Sequence, residues 1–297
     1  MPLSISELLF GTQLIEILQS FFAPQFDWVF AAITLLGDGT VLVGLSAVIY
    51  WCFDKPRGRL LTYILLLGAY LNFFLKILIH SPRPPVGLRI VEKTETGYGF
   101  PSGHAQNSTT FWTWIAVDFR KRILAMLGAA TVVAVGISRI YLGLHYPGQV
   151  IGGWIIGLAL ACFGMLVLRC IPKRDEQIKA IPQILFAFSM LVPLAIAVAL
   201  GAAGEADPWQ VGGYLFGFSL GVLVEDRYVH FPVNVGTAWR IIRLTIGAAL
   251  TGLLVLTLGP ILPDIYPAPA FVNSVIRGLF IAAVVPALFM LVERRRT

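Results

Sequence analysis

The chain has 297 residues, of which 57% are hydrophobic and only 13% charged, and its mean hydropathy is +0.81. A soluble protein of this length needs more charged residues on its surface. The composition therefore predicts a polytopic membrane protein. The net charge of +6 does not indicate a nucleic-acid partner, because the basic residues fall in short loops between apolar segments. The three cysteines show neither metal-ligand spacing nor a disulfide pattern.

The predicted elements begin with residues 4–22, whose apolar side chains recur at helical spacing between polar ones. This pattern is typical of an amphipathic helix at the membrane interface. This N-terminal segment lacks the basic n-region of a signal peptide, so we expect no cleaved signal peptide. The rest of the chain predicts an all-α bundle of about nine transmembrane helices. These run at about 27–53, 60–79, 104–118, 122–141, 148–170, 181–201, 208–224, 240–258 and 270–292.

Basic residues indicate how these helices are oriented. They cluster at 54–59, 119–122, 169–179, 225–243 and 294–296, which all fall on one side of a nine-helix topology. The positive-inside rule makes that side cytoplasmic and places the N-terminus outside. The same rule disfavours basic residues on the outer side, so those present there need a reason. They include Arg83, Arg139 and, at a helix end, Lys76.

Three stretches on the outer side carry reactive residues: Lys76-ILIHSP-Arg83-Pro84, Pro101-Ser-Gly-His104, and Ser138-Arg139-IYLGL-His145-YPG-Gln149. Arginine binds phosphate oxygens as a fork and lysine binds them as a point charge. A helix that starts after a Ser-Gly turn offers further N–H donors to a phosphate. Two histidines can serve as nucleophile and general acid. The pattern predicts phosphoryl transfer in which protein cations, rather than a metal, stabilise the charge.

These stretches resemble the signature of the type-2 phosphatidate phosphatase superfamily, which is K-x6-R-P, P-S-G-H and S-R-x5-H-x3-D. Every fixed residue matches except the last. The superfamily includes lipid phosphate phosphatases, vanadium haloperoxidases and glucose-6-phosphatase. The resemblance implies a six-helix phosphatase-type core with extra C-terminal helices, as in bacterial integral membrane members. We therefore expect an interfacial helix at 1–25, a phosphatase core at 26–201 and additional transmembrane helices at 202–297.

The resemblance also implies a function, the hydrolysis of a lipid phosphate or diphosphate at the outer face of a bacterial inner membrane. It assigns His145 as the nucleophile that forms a phosphohistidine and His104 as the acid that protonates the leaving group. The implied phosphate-binding residues are Lys76, Arg83, Ser102, Gly103 and Arg139. We expect no metal and no cofactor. The expected partners are the lipid phosphate and membrane lipids, with no nucleic acid, and a homo-oligomer is compatible with the sequence.

Gln149 stands where the family places an aspartate that orients the nucleophilic histidine. Its oxygen can still accept a hydrogen bond, but it brings no negative charge, and a flipped amide would present a donor. Carboxylates that can replace the aspartate are Asp38, Glu92 and Glu95, whereas Asp118 lies at the far end of its helix. Two alternatives therefore stay open beside the hydrolase. One is a catalytically weakened protein that binds or translocates a lipid phosphate, and the other is a lipid phosphotransferase. Retention of both histidines favours an enzyme.

Other polar residues near these stretches are weaker candidates. We expect His80 to be a loop residue and Asn72 to pair with a neighbouring helix. Gln106 and Asn107 either line the pocket or pack between helices. Glycines 152, 153 and 157 are expected to allow close helix approach.

Overall fold

The computed structural model describes residues 4–90, 97–170 and 180–294, and every regular element in these ranges is helical. The helices are α1 (Ile5–Phe10), α2 (Gln13–Phe22), α3 (Asp27–Leu35), α4 (Gly39–Cys52), α5 (Lys55–Ile79), α6 (Gly103–Phe119), α7 (Arg122–Tyr141), α8 (Pro147–Cys170), α9 (Ala180–Ser189), α10 (Val192–Ala199), α11 (Ala206–Val224), α12 (Thr237–Ile261), α13 (Pro267–Leu279) and α14 (Val285–Arg294). The predicted all-α class is confirmed.

Among the residues that the structure describes, five helical segments are long and apolar enough to cross a membrane, which makes the chain an integral membrane protein. They are Lys55–Ile79, Arg122–Tyr141, Pro147–Arg169, Thr237–Ile261 and Pro267–Glu293. Helices α3 and α4 form a sixth span if this pair, bent by 45°, is counted as one. The expected count of about nine spans is not confirmed. Helix α6 has only 17 residues, and α9 and α10 divide the next apolar segment between two short helices.

The chain forms two compact units. The first comprises Met1–Leu45 and Leu67–Cys170, and the second comprises Ser46–Leu66 and Ile171–Thr297. All the candidate site residues belong to the first unit. The division into an interfacial helix, a core and a C-terminal extension stays a prediction.

In the first unit, α6 packs closely against α7 and α8. A Cβ atom at Gly157 would lie 2.4 Å from the carbonyl oxygen of Gln106, and one at Gly153 would lie 2.6 Å from that of Ser102. Only residues without a Cβ atom permit this approach of two helix backbones. The two glycines of α8 therefore set its distance from α6, the helix whose first turn carries His104.

The predicted interfacial helix consists of two helices, α1 and α2. Their inner face packs on the rest of the first unit, where Ile15 is fully buried in an apolar cluster with residues of α6, α7 and α8. Gln19 donates through Nε2 to the carbonyl oxygens of Leu88 at 2.7 Å and Tyr141 at 2.8 Å. The opposite face exposes large apolar side chains such as Ile5 and Phe21, as expected for a membrane interface.

The second unit is held by buried ion pairs as well as by apolar packing. The Glu225 side chain is fully buried and forms ion pairs with Lys55 at 2.7 Å and with Arg59. Nη2 of Arg243 lies 2.7 Å from a carboxylate oxygen of Glu293. Such charges are stable in an apolar interior only when they are paired, and removal of one partner is strongly destabilising.

Candidate active site

The candidate residues lie at the ends of four neighbouring helices of the first unit. Lys76 is in the last turn of α5 and is partly exposed. Arg83 follows in the segment that joins α5 to α6, and Gly103 is the first residue of α6. Arg139 lies in the last turn of α7. His145 comes just before α8, and Gln149 lies in the first turn of that helix.

His145 and Gln149 form a buried pair, 1% and 0% exposed. Nδ1 of His145 lies 3.1 Å from Oε1 of Gln149. The same oxygen accepts the backbone N–H of Tyr146 at 3.2 Å. On its other side, Gln149 donates through Nε2 to Oγ of Ser81 at 3.0 Å and to the carbonyl oxygen of Pro82 at 2.7 Å. A flipped amide would set its nitrogen against an N–H and its oxygen against a carbonyl, so these neighbours fix the orientation.

The neighbours of His145 also fix its tautomer. Oε1 of Gln149 can only accept, so Nδ1 must carry the proton. Nη1 of Arg83 lies 3.1 Å from Nε2, and a guanidinium can only donate, so Nε2 must be the unprotonated nitrogen. Two independent contacts therefore give the same neutral tautomer. This leaves the lone pair of Nε2 directed at a cation.

Arg83 is held by backbone carbonyls on two sides. Its Nε donates to the carbonyl oxygen of Gly97 at 3.1 Å, and Nη1 donates to that of Leu144 at 3.1 Å. The carbonyl of Leu144 immediately precedes His145, so the guanidinium is fixed in position beside the imidazole. A fixed, planar guanidinium can bind two oxygens of a phosphate at once.

The N-terminus of α6 carries the buried Ser102 and the partly exposed Gly103 and His104. The backbone N–H of Ser102 donates to the carbonyl oxygen of Gln149 at 3.0 Å, so this amide is already engaged. The Ser102 hydroxyl is buried without a hydrogen-bond partner among the described residues, and it makes no capping bond to α6. The first N–H groups of a helix, here from Gly103 onward, have no intrahelical acceptor. Among the described residues, the group of Ser102 that has no hydrogen-bond partner is therefore its hydroxyl and not its backbone N–H.

A buried amide network fixes the loop in front of α6. Nδ2 of Asn72 donates to Oε1 of Gln106 at 3.0 Å and to the carbonyl oxygen of Pro101 at 3.3 Å. Nε2 of Gln106 donates to the carbonyl oxygen of Gly68 in α5 at 2.8 Å. Both side chains therefore connect α5 to α6, and Asn72 fixes the residue that precedes Ser102.

Arg139 is 2% exposed and anchors the loop that leads to the nucleophile candidate. Its Nη1 donates to Oγ1 of Thr34 at 3.1 Å, and its backbone oxygen accepts the N–H groups of Leu144 and His145 at 3.1 and 3.2 Å. These two backbone bonds fold residues 140–145 back on the end of α7. The spacing between arginine and histidine thus reflects the length of this turn.

A carboxylate lies near the second histidine rather than the first. Oδ2 of Asp38 is 3.9 Å from Nε2 of His104. Asp118 is in the last turn of α6, and Glu92 and Glu95 lie outside the described residues. Among the described residues, no group of three or more His, Cys, Asp and Glu side chains is arranged to hold a metal ion. His80 is an exposed loop residue whose ring contacts that of Tyr98, with 4.5 Å between the centroids.

Two family models match this chain. The PAP2 superfamily model matches residues 57–176, the part that carries the three stretches described above. A second model, the transmembrane extension of PAP2 superfamily phosphatases, matches residues 209–296.

The chain belongs to the PAP2 superfamily.

Curated relatives of this PAP2 protein are phosphatases. Phosphatidylglycerophosphatase B of Bacillus subtilis is 29% identical over 173 residues, which cover 54% of this chain and 80% of that protein. Undecaprenyl-diphosphatase of Sulfolobus acidocaldarius is 26% identical over 162 residues, covering 54% and 73%. Lipid A 4'-phosphatase of Bacteroides thetaiotaomicron is 29% identical over 162 residues, covering 49% and 71%.

A solved structure is similar to part of the PAP2 chain. It is the crystal structure of the first transmembrane PAP2 type phosphatidylglycerolphosphate phosphatase from Bacillus subtilis. It is 26% identical in sequence, with a TM-score of 0.49, and the match covers 55% of this chain and 86% of that one.

Three residues of the PAP2 site could not be assigned from sequence. Ser81 and Thr34 contact Gln149 and Arg139, respectively, but neither belongs to the signature. The sequence leaves open whether Gln106 lines the pocket or packs between helices; in the structure it connects α5 to α6. The sequence feature that indicates the contact between α5 and α6 is the polarity of Asn72 and Gln106, because polar side chains in apolar helices commonly form hydrogen bonds to neighbouring helices.

Proposed function

We propose that this protein is a membrane phosphatase that hydrolyses a lipid phosphate or diphosphate through a phosphohistidine at the extracytoplasmic face. The observation that carries the proposal is the environment of His145. Gln149 holds the proton on Nδ1, and Arg83 faces the unprotonated Nε2. A histidine with a defined lone pair beside the cation that would bind the phosphate can attack phosphorus once the phosphate displaces the arginine from Nε2.

The first half-reaction transfers the phosphoryl group to the protein. Arg83, Arg139, Lys76, the Ser102 hydroxyl and the N–H of Gly103 bind the phosphoryl oxygens. Nε2 of His145 attacks phosphorus in line, and the bond from phosphorus to the lipid oxygen breaks. His104 gives its proton to that oxygen, which leaves as an alcohol or, from a diphosphate, as a monophosphate.

The second half-reaction restores the protein. His104, now neutral, takes a proton from water as the water oxygen attacks phosphorus. The bond between phosphorus and Nε2 breaks, and inorganic phosphate leaves. His104 ends protonated, as it began, and His145 regains its lone pair.

The lipid nature of the substrate is supported by the membrane location and by the relatives. Three relatives are a phosphatidylglycerophosphatase, an undecaprenyl-diphosphatase and a lipid A 4'-phosphatase. The predicted orientation places the site at the outer face, because the basic loops at the opposite ends of the helices favour the cytoplasm.

The proposed chemistry needs no metal, because three protein cations neutralise the phosphoryl oxygens. We expect millimolar EDTA to leave phosphate release unchanged. The measurement is the release rate before and after chelation, with Mg²⁺ and Zn²⁺ added back. Loss on chelation that either metal restores would contradict this part of the mechanism.

The test of the function is phosphate release by detergent-purified protein from a panel of lipid phosphates and diphosphates. His145→Ala should abolish release, and His80→Ala is the matched control, an exposed histidine at a variable position of the signature. Brief reaction with ³²P-labelled lipid should leave acid-labile label on the wild type and none on His145→Ala. Release that survives in His145→Ala would refute the phosphohistidine. A silent wild type that binds the lipid, together with an active Gln149→Asp variant, would favour a binding protein.

A further inference from the structure

The break between α3 and α4 brings a carboxylate to the candidate proton donor. Residues Leu36, Gly37 and Asp38 separate the two helices, Gly39 begins α4, and Oδ2 of Asp38 lies 3.9 Å from Nε2 of His104. The two side chains are 36% and 24% exposed, so the pair is only partly shielded by the protein. This places the carboxylate at His104, whereas the family signature places one at the other histidine.

The glycines of the break explain how Asp38 comes so close. A Cβ atom at Gly37 would lie 2.9 Å from the carbonyl oxygen of His104 and 2.6 Å from Cγ1 of Val135. One at Gly39 would lie 3.2 Å from Nδ2 of Asn107, one turn further along α6. The backbone on both sides of Asp38 therefore packs against the first turn of α6, which a larger residue at 37 would prevent.

The Asp38 carboxylate is fixed by its other oxygen. Oδ1 accepts the backbone N–H groups of Thr40 at 2.9 Å and Val41 at 3.2 Å, which makes Asp38 the N-cap of α4. With Oδ1 committed to the cap, Oδ2 is presented to His104 by a side chain that cannot rotate freely. An anion held within ion-pair distance favours the protonated imidazole.

We propose that Asp38 is a positioning residue that holds His104 and stabilises its charged form for the acid step. This inference rests on the proposed function, in which His104 protonates the leaving group. In this site, the two functions of the family's aspartate, orienting a histidine and supplying a negative charge, belong to two different residues. Gln149 keeps the orientation of His145 without a charge, and Asp38 supplies the negative charge at the proton donor instead.

The competing explanation is that Asp38 only caps α4. Asparagine caps a helix about as well as aspartate but carries no charge, so Asp38→Asn removes the effect on His104 and keeps the cap. Asp54 provides a matched control. It precedes α5 and accepts the N–H of Arg57 at 2.9 Å, which makes it a second capping aspartate, and no contact described above connects it to the site.

The experiment compares kcat/KM for two phosphate monoesters with the full-length protein in detergent. One is the lipid phosphate that the panel shows to be hydrolysed best, whose alkoxide leaving group needs a proton. The other is p-nitrophenyl phosphate, whose leaving group departs without one. We expect Asp38→Asn to lower kcat/KM for the lipid about tenfold or more and to leave that for the aryl ester within about twofold. Asp54→Asn should change neither.

The outcomes separate the inference from the function it rests on. An equal loss of kcat/KM with both esters would show that Asp38 acts on the fold. Unchanged kcat/KM values for Asp38→Asn would show that the carboxylate does not contribute to catalysis. Either result overturns the inference alone. A wild type that hydrolyses no lipid phosphate would overturn the proposed function and the inference together. His104→Ala should show the same dependence on the leaving group as Asp38→Asn but a larger loss.

Discussion

Oε1 of Gln149 lies 3.1 Å from Nδ1 of His145, and Nε2 of the same amide lies 2.7 Å from the carbonyl oxygen of Pro82. One side chain therefore orients the nucleophile candidate and fixes the segment that leads to Arg83. A carboxylate at this position would serve the histidine but would have no proton to donate to Pro82. The amide is thus suited to its surroundings here, although the family signature has an acid.

The first prediction tests this double role of Gln149. Gln149→Leu removes the acceptor and the donor at similar volume, so we expect kcat to fall by roughly 10²- to 10⁴-fold, as when other catalytic histidines lose their orienting group. Gln149→Glu keeps an oxygen beside His145 and should retain more activity than the leucine variant. Both should be less stable by about 1–3 kcal/mol, because buried partners lose a hydrogen bond. Phosphate release and thermal unfolding measure these effects, and an active, stable leucine variant would contradict the proposal.

The second prediction concerns the planar guanidinium of Arg83 and its several N–H donors. Lysine has the charge but cannot bond the carbonyls of Gly97 and Leu144 and a phosphate together, so Arg83→Lys should lower kcat/KM about 10- to 100-fold. Arg89→Lys is the control, because Arg89 lies in the same segment but outside the signature. Steady-state kinetics with the preferred lipid distinguish the two. Equal effects of both substitutions would mean that the geometry of Arg83 is unimportant.

The third prediction concerns the coupling of Asn72 and Gln106. Each alanine variant leaves the other amide with an unmet hydrogen bond, so the double variant should lose less stability than the sum of the two single variants. We expect a coupling energy of about 0.5–3 kcal/mol. The unfolding free energies of the four proteins in detergent form the cycle. Strict additivity would show that the 3.0 Å bond between the two amides contributes little.

The fourth prediction tests the approach of α8 to α6. A Cβ at Gly157 would meet a backbone carbonyl at 2.4 Å, so Gly157→Ala must push the two helices apart and should cost about 1–3 kcal/mol. Gly252 in α12 has no atom within 4 Å of the equivalent position, so Gly252→Ala should be neutral or slightly stabilising. The melting temperatures of the two variants provide the comparison. Similar values for both would be inconsistent with the close packing at Gly157.

Residues with fixed spacing were the part of the site that sequence could predict. His145 and Gln149 are four positions apart at the start of a helix, so local geometry alone brings them together. The contacts of Arg139 with Thr34 and of Gln149 with Ser81 join segments far apart in the chain, and no local pattern encodes such pairs. The sequence named Asp38 as a carboxylate that could replace the aspartate at position 149, but its place beside His104 was not predicted, because that place depends on how a helix break packs.

The sequence predicted the fold class, whereas the predicted number of spans is not confirmed. Apolar composition and periodicity indicate helices in a membrane, yet they do not show where a helix ends or is interrupted. Helix α6 ends at Phe119 after 17 residues, and the predicted span at 181–201 is divided at residues 190 and 191. Hydropathy averaged over a segment does not detect such interruptions.

The contact between Arg83 and Nε2 of His145 has a consequence for the protein at rest. The atom that would attack phosphorus is covered by a guanidinium, and its ring is almost entirely withdrawn from solvent. A phosphate oxygen is a stronger acceptor than an imidazole nitrogen, so we expect Nη1 of Arg83 to give up its contact with Nε2 and expose the lone pair while the guanidinium keeps its bonds to the two backbone carbonyls. Binding of the substrate would thus make Nε2 accessible for attack. Small electrophiles without a negative charge would not displace Arg83 and would therefore not react with the histidine.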